Sequence, residues 1–532
     1  MKTVRPQIIT LIVLVLIALI SFLGLLSEIA KKYGLERPAF GGTLREGIIE
    51  NPRFINPLFT QTDADRDLTS LVFTGLLRSD EEGNPAPGLA EKYEVTPDGL
   101  TYEVTLKNNL YWSDGRPLTS EDVLFTISLV KNPIAQSQRR ANWEGVEIEK
   151  IDERTVKFHL RKAYSPFLEN LTLGILPKHL WENISPSQIS FAELNLNPVG
   201  AGPYKVNSVR RDSQGSVSSI TLKSNKYYAL GEPFISTIRL DFFPDEERAL
   251  RSLQNGSIDS LGAVSPKNIG KLANLDLQTK QMGLKRIIAV FLNQSSQKNL
   301  ASAEVRKALN LALDKKKIVK NVLAGYGKII NGPFPKETAD TEYDPETAQK
   351  IVTKQKSEIK FTLTTINIPE LVEIADLIKK MWEGAGFKIE IKTFPKNELE
   401  ENVIGPRKYD AFLYGEEVIG RIPDPFAFWH SSQRFHPGYN IALYTNAKVD
   451  KALENVRIAQ SEEEREKLYM EIETEIKKDM PAVFLYSPSY IYMMPKELLG
   501  MDAGTINTGA DRFAQVHKWY LTKSYVWKIF LK

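Results

Sequence analysis

Two adjacent carboxylates, Glu416 and Glu417, are the side chains whose types and spacing best suit acid and base chemistry in this sequence. They follow an alternating stretch from Tyr409 to Tyr414, which predicts a strand, so both acids are expected where that strand ends. A solvated turn is the alternative interpretation, and it is the better one for at least one of the two. The pair is therefore a candidate site without an assigned reaction.

His430 and His436 are a second candidate, because they are close in sequence and imidazole is a common metal ligand. A metal site requires both side chains to face one cavity, whereas the alternative is two ordinary loop histidines near a helix end. The alternative is favoured, since the chain has no cysteine and no third ligand lies nearby in sequence. We therefore expect no metal and no cofactor.

Sequence motifs of the common catalytic sites do not occur. The chain contains no His-Glu-x-x-His, no Gly-x-Ser-x-Gly, no phosphate loop and no Gly-x-Gly-x-x-Gly after a strand. Ser128 and Ser295 each begin a Ser-x-x-Lys, but no Lys-Thr-Gly accompanies them. The sequence therefore favours a protein that is not an enzyme, and a hydrolase is the last of the alternatives.

Composition limits the class of protein. The chain has 532 residues, 42% hydrophobic and 25% charged, which is typical of a globular protein with about three domains. The net charge is +3 and the two signs are interleaved, so we expect no nucleic-acid partner. The absence of cysteine excludes disulfides, thiolate zinc sites, a cysteine nucleophile and a lipid attached through cysteine.

The N-terminal segment predicts a membrane anchor. Lys2 and Arg5 precede an apolar run from Ile8 to Leu26, which is long enough to span a bilayer as a helix. The following residues, 27–32, make a poor cleavage site, so we favour an uncleaved anchor over a cleaved signal. The expected segments are a cytoplasmic stub at 1–7, a transmembrane helix at 8–30 and a linker at 31–42.

The rest of the chain alternates strand and helix patterns. Residues 101–106 and 155–160 alternate as strands, and Thr119 is placed to cap a helix. The clearest unit is strand–helix–strand over 359–394, which normally makes parallel neighbours. Ligands of such sheets bind at the carboxyl ends of the strands, and the class is α/β with α+β parts.

An ordered series of motifs resembles the family 5 extracellular solute-binding proteins, the oligopeptide, dipeptide and nickel receptors of ABC importers. The first is Leu89–Lys107, which continues with Trp-Ser-Asp-Gly at 112–115 and Leu-Thr-Ser-Glu-Asp-Val at 118–123. Later matches, in the family's order, are 197–204, 292–293, 304–309, 343–348, 409–410, 423–425 and 449–451. The resemblance covers roughly residues 42–520.

The resemblance implies a periplasmic-binding-protein-like fold of two lobes joined by a pair of crossing segments, with an extra subdomain in lobe 1 and the N-terminal transmembrane helix before it. The expected boundaries are 43–78, 195–282 and 499–532 for the lobe 1 core, 79–194 for the subdomain and 283–498 for lobe 2. The C-terminal tail is expected to return to lobe 1.

The resemblance also implies a mechanism. A peptide or other small solute binds between the lobes, the hinge closes, and the closed form docks on the permease subunits of an ABC importer. Closure is driven only by ligand contacts that exist in the closed state. We expect a monomer on the extracytoplasmic side of the membrane. An envelope sensor, scaffold or chaperone that reuses the fold is the alternative, because a fold does not determine function.

The sequence departs from the family pattern at the ligand's amino group. Peptide-binding members hold this group with an aspartate, usually after a tryptophan; the corresponding residues here are Arg421 and Val418. Three interpretations stay open. Glu416 or Glu417 replaces the aspartate, Arg421 holds an anionic ligand by a forked pair of hydrogen bonds, or Arg421 pairs with Asp424 on the rim.

Further residues are expected at the cleft from their places in the family pattern. Tyr414, Asn293 and Asn440 are predicted ligand contacts on this basis. Trp429, with Phe426 and Phe428, is predicted either to form a wall of the ligand site or to belong to the core, since aromatic residues at this spacing are usually buried.

Overall fold

The computed structural model describes residues 4–80, 84–338, 342–417, 424–459, 461–502 and 504–526. The strands are β1 Leu35–Ala39, β2 Thr43–Ile49, β3 Leu77–Ser79, β4 Pro85–Pro87, β5 Ala90–Val95, β6 Thr101–Leu106, β7 Val146–Lys150, β8 Thr155–Leu160, β9 Tyr204–Arg211, β10 Val217–Ser224, β11 Thr237–Phe243, β12 Ser260–Leu261, β13 Leu277–Leu284, β14 Arg286–Leu292, β15 Gly327–Ile329, β16 Lys360–Ile366, β17 Lys388–Phe394, β18 Ala411–Glu417, β19 Ala482–Pro495, β20 Thr505–Ile506 and β21 Thr522–Val526.

The helices are α1 Val4–Tyr33, α2 Asp63–Val72, α3 Ser120–Lys131, α4 Phe167–Asn170, α5 Lys178–Trp181, α6 Glu246–Gln254, α7 Lys298–Ala301, α8 Ala303–Leu311, α9 Lys315–Val322, α10 Pro345–Thr353, α11 Pro369–Gly384, α12 Lys396–Leu399, α13 Phe426–Trp429, α14 Ala447–Ile458 and α15 Glu462–Asp479. A 3-10 segment, Gly509–Lys518, precedes β21. Across the ranges given above, the structure contains no helix with both the length and the apolar character needed to cross a membrane.

Local sequence patterns explain several elements. The predicted strands at 101–106 and 155–160 are confirmed as β6 and β8, which pair antiparallel within the four-stranded sheet β5-β6-β8-β7. Thr119 caps α3 in a reciprocal capping box with Asp122, as its position predicts. The strand–helix–strand unit is confirmed as β16, α11 and β17, with β16 and β17 parallel.

One large mixed sheet runs through both halves of the body, in the order β17-β16-β18-β14-β19-β12-β2-β11-β10-β9. Strand β19 connects the halves, because its first part pairs with β14 and its second part pairs with β13. Strands β13 and β14 are consecutive, with Lys285 alone between them. Two extended segments, β13–β14 and β19, therefore cross side by side from one half to the other.

Each half has its own hydrophobic core. The core that we call lobe 2 runs from Ile287 to Tyr486 and is built on β14, β16, β18 and their helices. The larger core of the other half, lobe 1, takes its residues from Leu44–Phe242 and from Met282–Trp519, and it includes an aromatic cluster of Trp143, Phe158 and Phe167. Two cores joined by strands are an arrangement in which one half can rotate against the other.

Candidate functional site

Glu416 lies near the carboxyl end of β18, opposite Ile287 of β14 and beyond the stretch of β18 that pairs with β16. Its residue exposure is 3%, and neither carboxylate oxygen has a hydrogen-bond partner among the residues that the structure describes. Burial raises the pKa of this carboxyl well above its usual range. The solvated-turn interpretation therefore does not apply to Glu416.

The sheet face around Glu416 is aromatic. Phe412 and Tyr414 occupy the same face, because side chains alternate along a strand, and their rings stack at 4.9 Å between centroids. Tyr409 packs against Phe412 and donates its hydroxyl to the carbonyl of Ile441 at 2.6 Å. Burial raises the pKa of Tyr414, with a further contribution from the charge of Glu400. A cation entering here would therefore find one acidic side chain and aromatic rings.

Glu417 is the last residue of β18 and lies opposite Arg286 in the neighbouring strand. Arg421 and Val418, which the sequence places where the family has its aspartate and tryptophan, lie outside the described residues. Asp424 lies within them, and its carboxylate is already engaged by two other residues. Arg457 donates to it from Nε at 2.9 Å and from Nη2 at 2.6 Å, and Tyr164 donates its hydroxyl at 3.0 Å.

Asn293 and Asn440 hold turns of lobe 2. Asn293 donates to the carbonyl of Tyr409 at 2.9 Å, and its side-chain oxygen accepts from the backbone amides of Ser295 and Ser296. Asn440 donates to two carbonyls, of His430 and of Tyr444, and accepts from the Tyr444 amide at 3.0 Å. Their function as ligand contacts stays a prediction, and the bonds that they make support the loops on either side of β18.

Trp429 packs in the lobe 2 core, at 1% exposure, against Phe291, Phe484 and Tyr444. Phe428, one residue earlier, is half-buried and contacts Tyr439, which is 52% exposed. The pKa of Tyr414 also responds to Tyr439, which places both phenols in one neighbourhood. The exposed aromatic side chains of this segment include Tyr439 and, at 71%, Phe435, while Tyr414 and Phe428 are half-buried. No motif in the sequence distinguishes Tyr439.

The lobes touch at a contact that we call the junction, formed by Tyr164 and Ser165 of lobe 1 with Asp424 and Arg457 of lobe 2. Besides the bonds to Asp424, the Ser165 amide donates to the carbonyl of Arg457 at 2.7 Å. The Arg457 guanidinium also lies 3.8 Å from the ring centroid of Phe426. Sequence spacing gave no signal for the junction, because its members come from segments hundreds of residues apart.

A groove in lobe 1 leads to the junction. One part of it is a cavity of about 400 Å³, whose lining includes residues of α2, Arg139, Asn142, Trp143, Asn170, Asn507, Thr508 and Asp511. It shares Asn142 and Asn170 with a depression of about 500 Å³ that includes Tyr164 and Arg457. Of the predicted site residues that the structure describes, none lines this groove, so they all belong to the lobe 2 side.

The two histidines make separate contacts. His430 stacks on Phe426 at 4.0 Å and its Nδ1 lies 2.8 Å from the Ser432 hydroxyl, whereas His436 is mostly exposed beside Glu400. Within the described ranges, no group of three or more His, Asp or Glu side chains is arranged to hold a metal ion.

Comparison with known proteins identifies the family. Residues 84–435 match the model of the bacterial extracellular solute-binding proteins, family 5 Middle. This chain belongs to that family. It is 28% identical to the oligopeptide-binding protein AppA of Bacillus subtilis over 529 residues, which cover 93% of this chain and 95% of AppA.

Solved structures of substrate-binding proteins share the two-lobed fold. The substrate-binding protein CtaP of Listeria monocytogenes aligns with a TM-score of 0.81 and 25% identity, covering 91% of this chain and 100% of CtaP. The structure of Bacillus subtilis AppA in complex with a nonapeptide aligns with a TM-score of 0.71 and 26% identity, again over 91% of this chain and 100% of AppA. The predicted two-lobed α/β fold is therefore confirmed.

Proposed function

We propose that this family 5 protein captures a peptide or peptide-like solute between its lobes and delivers it to the permease of an ABC importer, while α1 anchors it on the extracytoplasmic side of the membrane. The family supports capture of a solute. AppA, an oligopeptide-binding protein that aligns over nearly the whole chain, supports a peptide.

The observation that carries the proposal is the buried, unpartnered carboxyl of Glu416. A buried charge without a partner is expensive, so this group is neutral until a cation reaches it. The ammonium group of a peptide N-terminus supplies that cation and can donate charge-assisted hydrogen bonds to both oxygens. Glu416 then replaces the aspartate that the family uses, and binding releases one proton from Glu416.

The aromatic residues beside Glu416 support the same ligand. Tyr414, Phe428 and Tyr439 together offer apolar ring surface next to an acidic group, which suits the first residue of a peptide: a cationic amine followed by a side chain. The junction gives closure a physical basis, since a closed state already contains hydrogen bonds between the lobes that a ligand can stabilise further.

The anchor is supported by the surface of α1. The apolar run from Ile8 to Leu26 falls within this 30-residue helix. Its large apolar side chains are between 48% and 67% exposed at eleven positions: Leu11, Ile12, Val13, Leu14, Val15, Leu16, Ile17, Leu19, Ile20, Phe22 and Leu25. So much continuous apolar surface is unfavourable in water and favourable in contact with lipid, and such contact does not require α1 to cross the bilayer.

The ligand proposal is tested by the thermal stability of the full chain in detergent with pools of short peptides. A peptide present at 100 times its Kd stabilises the folded chain by about 2.7 kcal/mol. We expect free N-termini to raise the melting temperature and N-acetylated versions of the same peptides to lose most of this effect. Glu416→Gln should remove the difference between the two pools and leave the melting temperature without peptide the same or higher.

Arg421→Ala is the matched variant for the competing interpretation. If Arg421 holds an anionic ligand, this change abolishes the response to acidic peptides, whereas Glu416→Gln leaves it intact. Equal stabilisation by free and acetylated peptides in the unaltered chain would contradict the proposal that Glu416 binds an amine.

A further inference from the structure

A groove on the surface of lobe 1 runs from the junction across residues 131–167. It consists of the depression of about 500 Å³ that includes Tyr164 and Arg457, and of a second depression of about 790 Å³ beside it. Gly145 and Arg161 belong to the linings of both. We call the two depressions together the basic groove. Because Arg457 belongs to lobe 2 and Tyr164 to lobe 1, the basic groove begins at the boundary between the lobes.

Basic side chains outnumber acidic ones in the lining of this groove. The cations are Lys131, Arg140, Arg161, Lys162 and Arg457, and the acids are Glu144 and Glu147. Two of the cations are engaged already, since Arg457 pairs with Asp424 and the Lys131 ammonium donates to the carbonyl of Val146. The side chains of the other three are exposed and make no hydrogen bond or ion pair with any residue that the structure describes. Three cations are therefore available to an anionic ligand.

Arg161 has a central place, because it lines both depressions. Its backbone amide donates to the carbonyl of Gly145 at 3.1 Å, and its aliphatic stem packs over that glycine. The Arg161 Cδ lies 3.4 Å from the position that a Cβ atom on Gly145 would occupy. Gly145 has a φ of +74°, which glycine adopts without steric cost. The stem of Arg161 is therefore packed while the residue stays exposed, which lowers the entropy cost of binding an anion.

The rest of the lining favours carboxylates that are spaced along a peptide. Val146, Leu160 and Phe167 are buried in the wall of the first depression and offer apolar contact to the methylene groups of acidic side chains. Glu144 and Glu147 lie among the cations and oppose a ligand with continuous negative charge, such as a phosphate backbone. A peptide can place its carboxylates at the cations and its neutral residues at the two glutamates.

We propose that the basic groove binds the acidic distal part of a peptide whose first residues are held between the lobes. This inference rests on the proposed capture of a peptide, and it names the substrate class: peptides long enough to pass the junction, with a neutral first half and an acidic second half. Arg140, Arg161 and Lys162 pair with the carboxylates, and each arginine can donate a forked pair of hydrogen bonds. Because exposed charge pairs contribute little individually, we expect all three together to improve the affinity about tenfold.

Peptides of equal length test the position of the charge. The first has a neutral first half and glutamates in its second half, the next has glutamines in place of these glutamates, and the last carries the same glutamates in its first half. Titration calorimetry of the full chain in detergent gives the Kd of each peptide. We expect the first to bind about tenfold more tightly than the other two, and the difference to shrink at high salt because exposed charges are screened.

Two triple variants locate the effect on the protein. In Arg140→Ala, Arg161→Ala, Lys162→Ala we expect the distal glutamates to give no gain, while the peptide with glutamines binds as it does to the unaltered chain. The matched control is Lys316→Ala, Lys317→Ala, Lys320→Ala, which removes the same charge from three exposed lysines of α9 in lobe 2. This control should keep the full preference for the distal glutamates. All six side chains are exposed, so both variants should melt close to the unaltered chain.

The outcomes separate this inference from the proposed function. If no peptide binds the unaltered chain, the capture of peptides fails and the inference fails with it. If all of them bind with the same Kd, capture stands and the inference is wrong. A preference for distal glutamates that survives in the groove variant would place their recognition elsewhere. Loss of the preference in the lysine control would show that overall charge causes it, and either result would overturn the inference.

Discussion

Two glutamates in this protein are equally buried and differ in their partners. Glu46, on β2 in lobe 1, is fully buried and accepts hydrogen bonds from Arg512 at 2.8 Å, Ser260 at 2.6 Å and Tyr492 at 2.5 Å. Glu416, on β18 in lobe 2, has no partner among the described residues. The first carboxylate is part of the structure that holds lobe 1 together, whereas the second is buried without any such contacts.

The partners of Glu46 explain its role. Arg512 also donates two parallel hydrogen bonds to Asp67 of α2, at 2.9 and 2.7 Å, and is 1% exposed itself. The cluster therefore fastens β2, α2 and the 3-10 segment near the C-terminus. Burial opposes the charge of Arg512, but the negative charges of Asp67 and Glu46 outweigh this effect and hold its pKa well above the usual range. Glu416 has no such compensation, so its ionised form costs stability.

Removing Arg512 from its cluster with Glu46 and Asp67 should cause the largest loss of stability. Arg512→Met leaves two buried carboxylates without a cation, and we expect the free energy of unfolding to fall by about 3–5 kcal/mol. Chemical denaturation of the purified chain measures this loss. Arg45→Met is the matched control, because the Arg45–Asp259 pair is partly exposed, at 38% and 23%, and is worth less than about 1 kcal/mol. Equal losses in the two variants would remove the distinction between a buried cluster and a surface pair.

Replacing Glu416, whose carboxyl has no partner among the described residues, should stabilise the folded chain. This gain in stability should depend on pH. Because burial raises the pKa of Glu416 in the folded chain, the folded state holds a proton that the unfolded state releases as the pH rises above the usual range for glutamate. The unaltered chain therefore loses stability relative to Glu416→Gln as the pH rises above the usual range for glutamate into the alkaline range. At the alkaline end we expect Glu416→Gln to be more stable by about 1–3 kcal/mol.

Denaturation curves of both proteins across this pH range measure the difference, which should be close to zero at the acid end. Glu46→Gln is the control for burial alone, since its carboxylate has partners, and it should be less stable than the unaltered chain at the alkaline end. A constant difference between Glu416→Gln and the unaltered chain at every pH would show that Glu416 is not perturbed by burial.

The sequence predicted the elements whose causes are local. Alternation identified β6 and β8, a capping residue identified the start of α3, and the unit at 359–394 had its periodicities within a single stretch. The burial of Glu416 could also be predicted from the sequence, because residues 412, 414 and 416 share one face of β18 and the first two are aromatic. The sequence predicts that the strand ends at Tyr414, which favours a solvated turn at Glu416, whereas β18 continues to Glu417.

The contacts that distinguish the two glutamates could not be predicted in this way. Arg512 is 466 residues from Glu46, and Tyr164 is 260 residues from Asp424. Such pairs depend on how separate elements pack, for which a single sequence carries no periodic signal. The paired ribbon of β1 and β21 is a further example, since it joins the two ends of the chain.

Asp424 is an intermediate case that sharpens the comparison, because its partners come from both lobes. Arg457 shares lobe 2 with Asp424, whereas the Tyr164 hydroxyl reaches it from lobe 1 and exists as a partner only when the lobes are in contact. Tyr164→Phe removes this one hydrogen bond and keeps the ring and the ion pair. We expect it to weaken the closed form by about 0.5–1.5 kcal/mol, which raises the Kd of a peptide ligand by up to about tenfold.

Fluorescence energy transfer between labels on the two lobes, with and without peptide, measures the closed fraction. Tyr343→Phe is the control, because this tyrosine is 46% exposed and lies far from the junction in sequence, and it should leave both quantities unchanged. If Tyr164→Phe closes as readily as the unaltered chain, the junction is only a contact between surfaces. If it fails to close, Asp424 joins the two lobes through Tyr164, in contrast to Glu46, whose side-chain partners all lie in lobe 1.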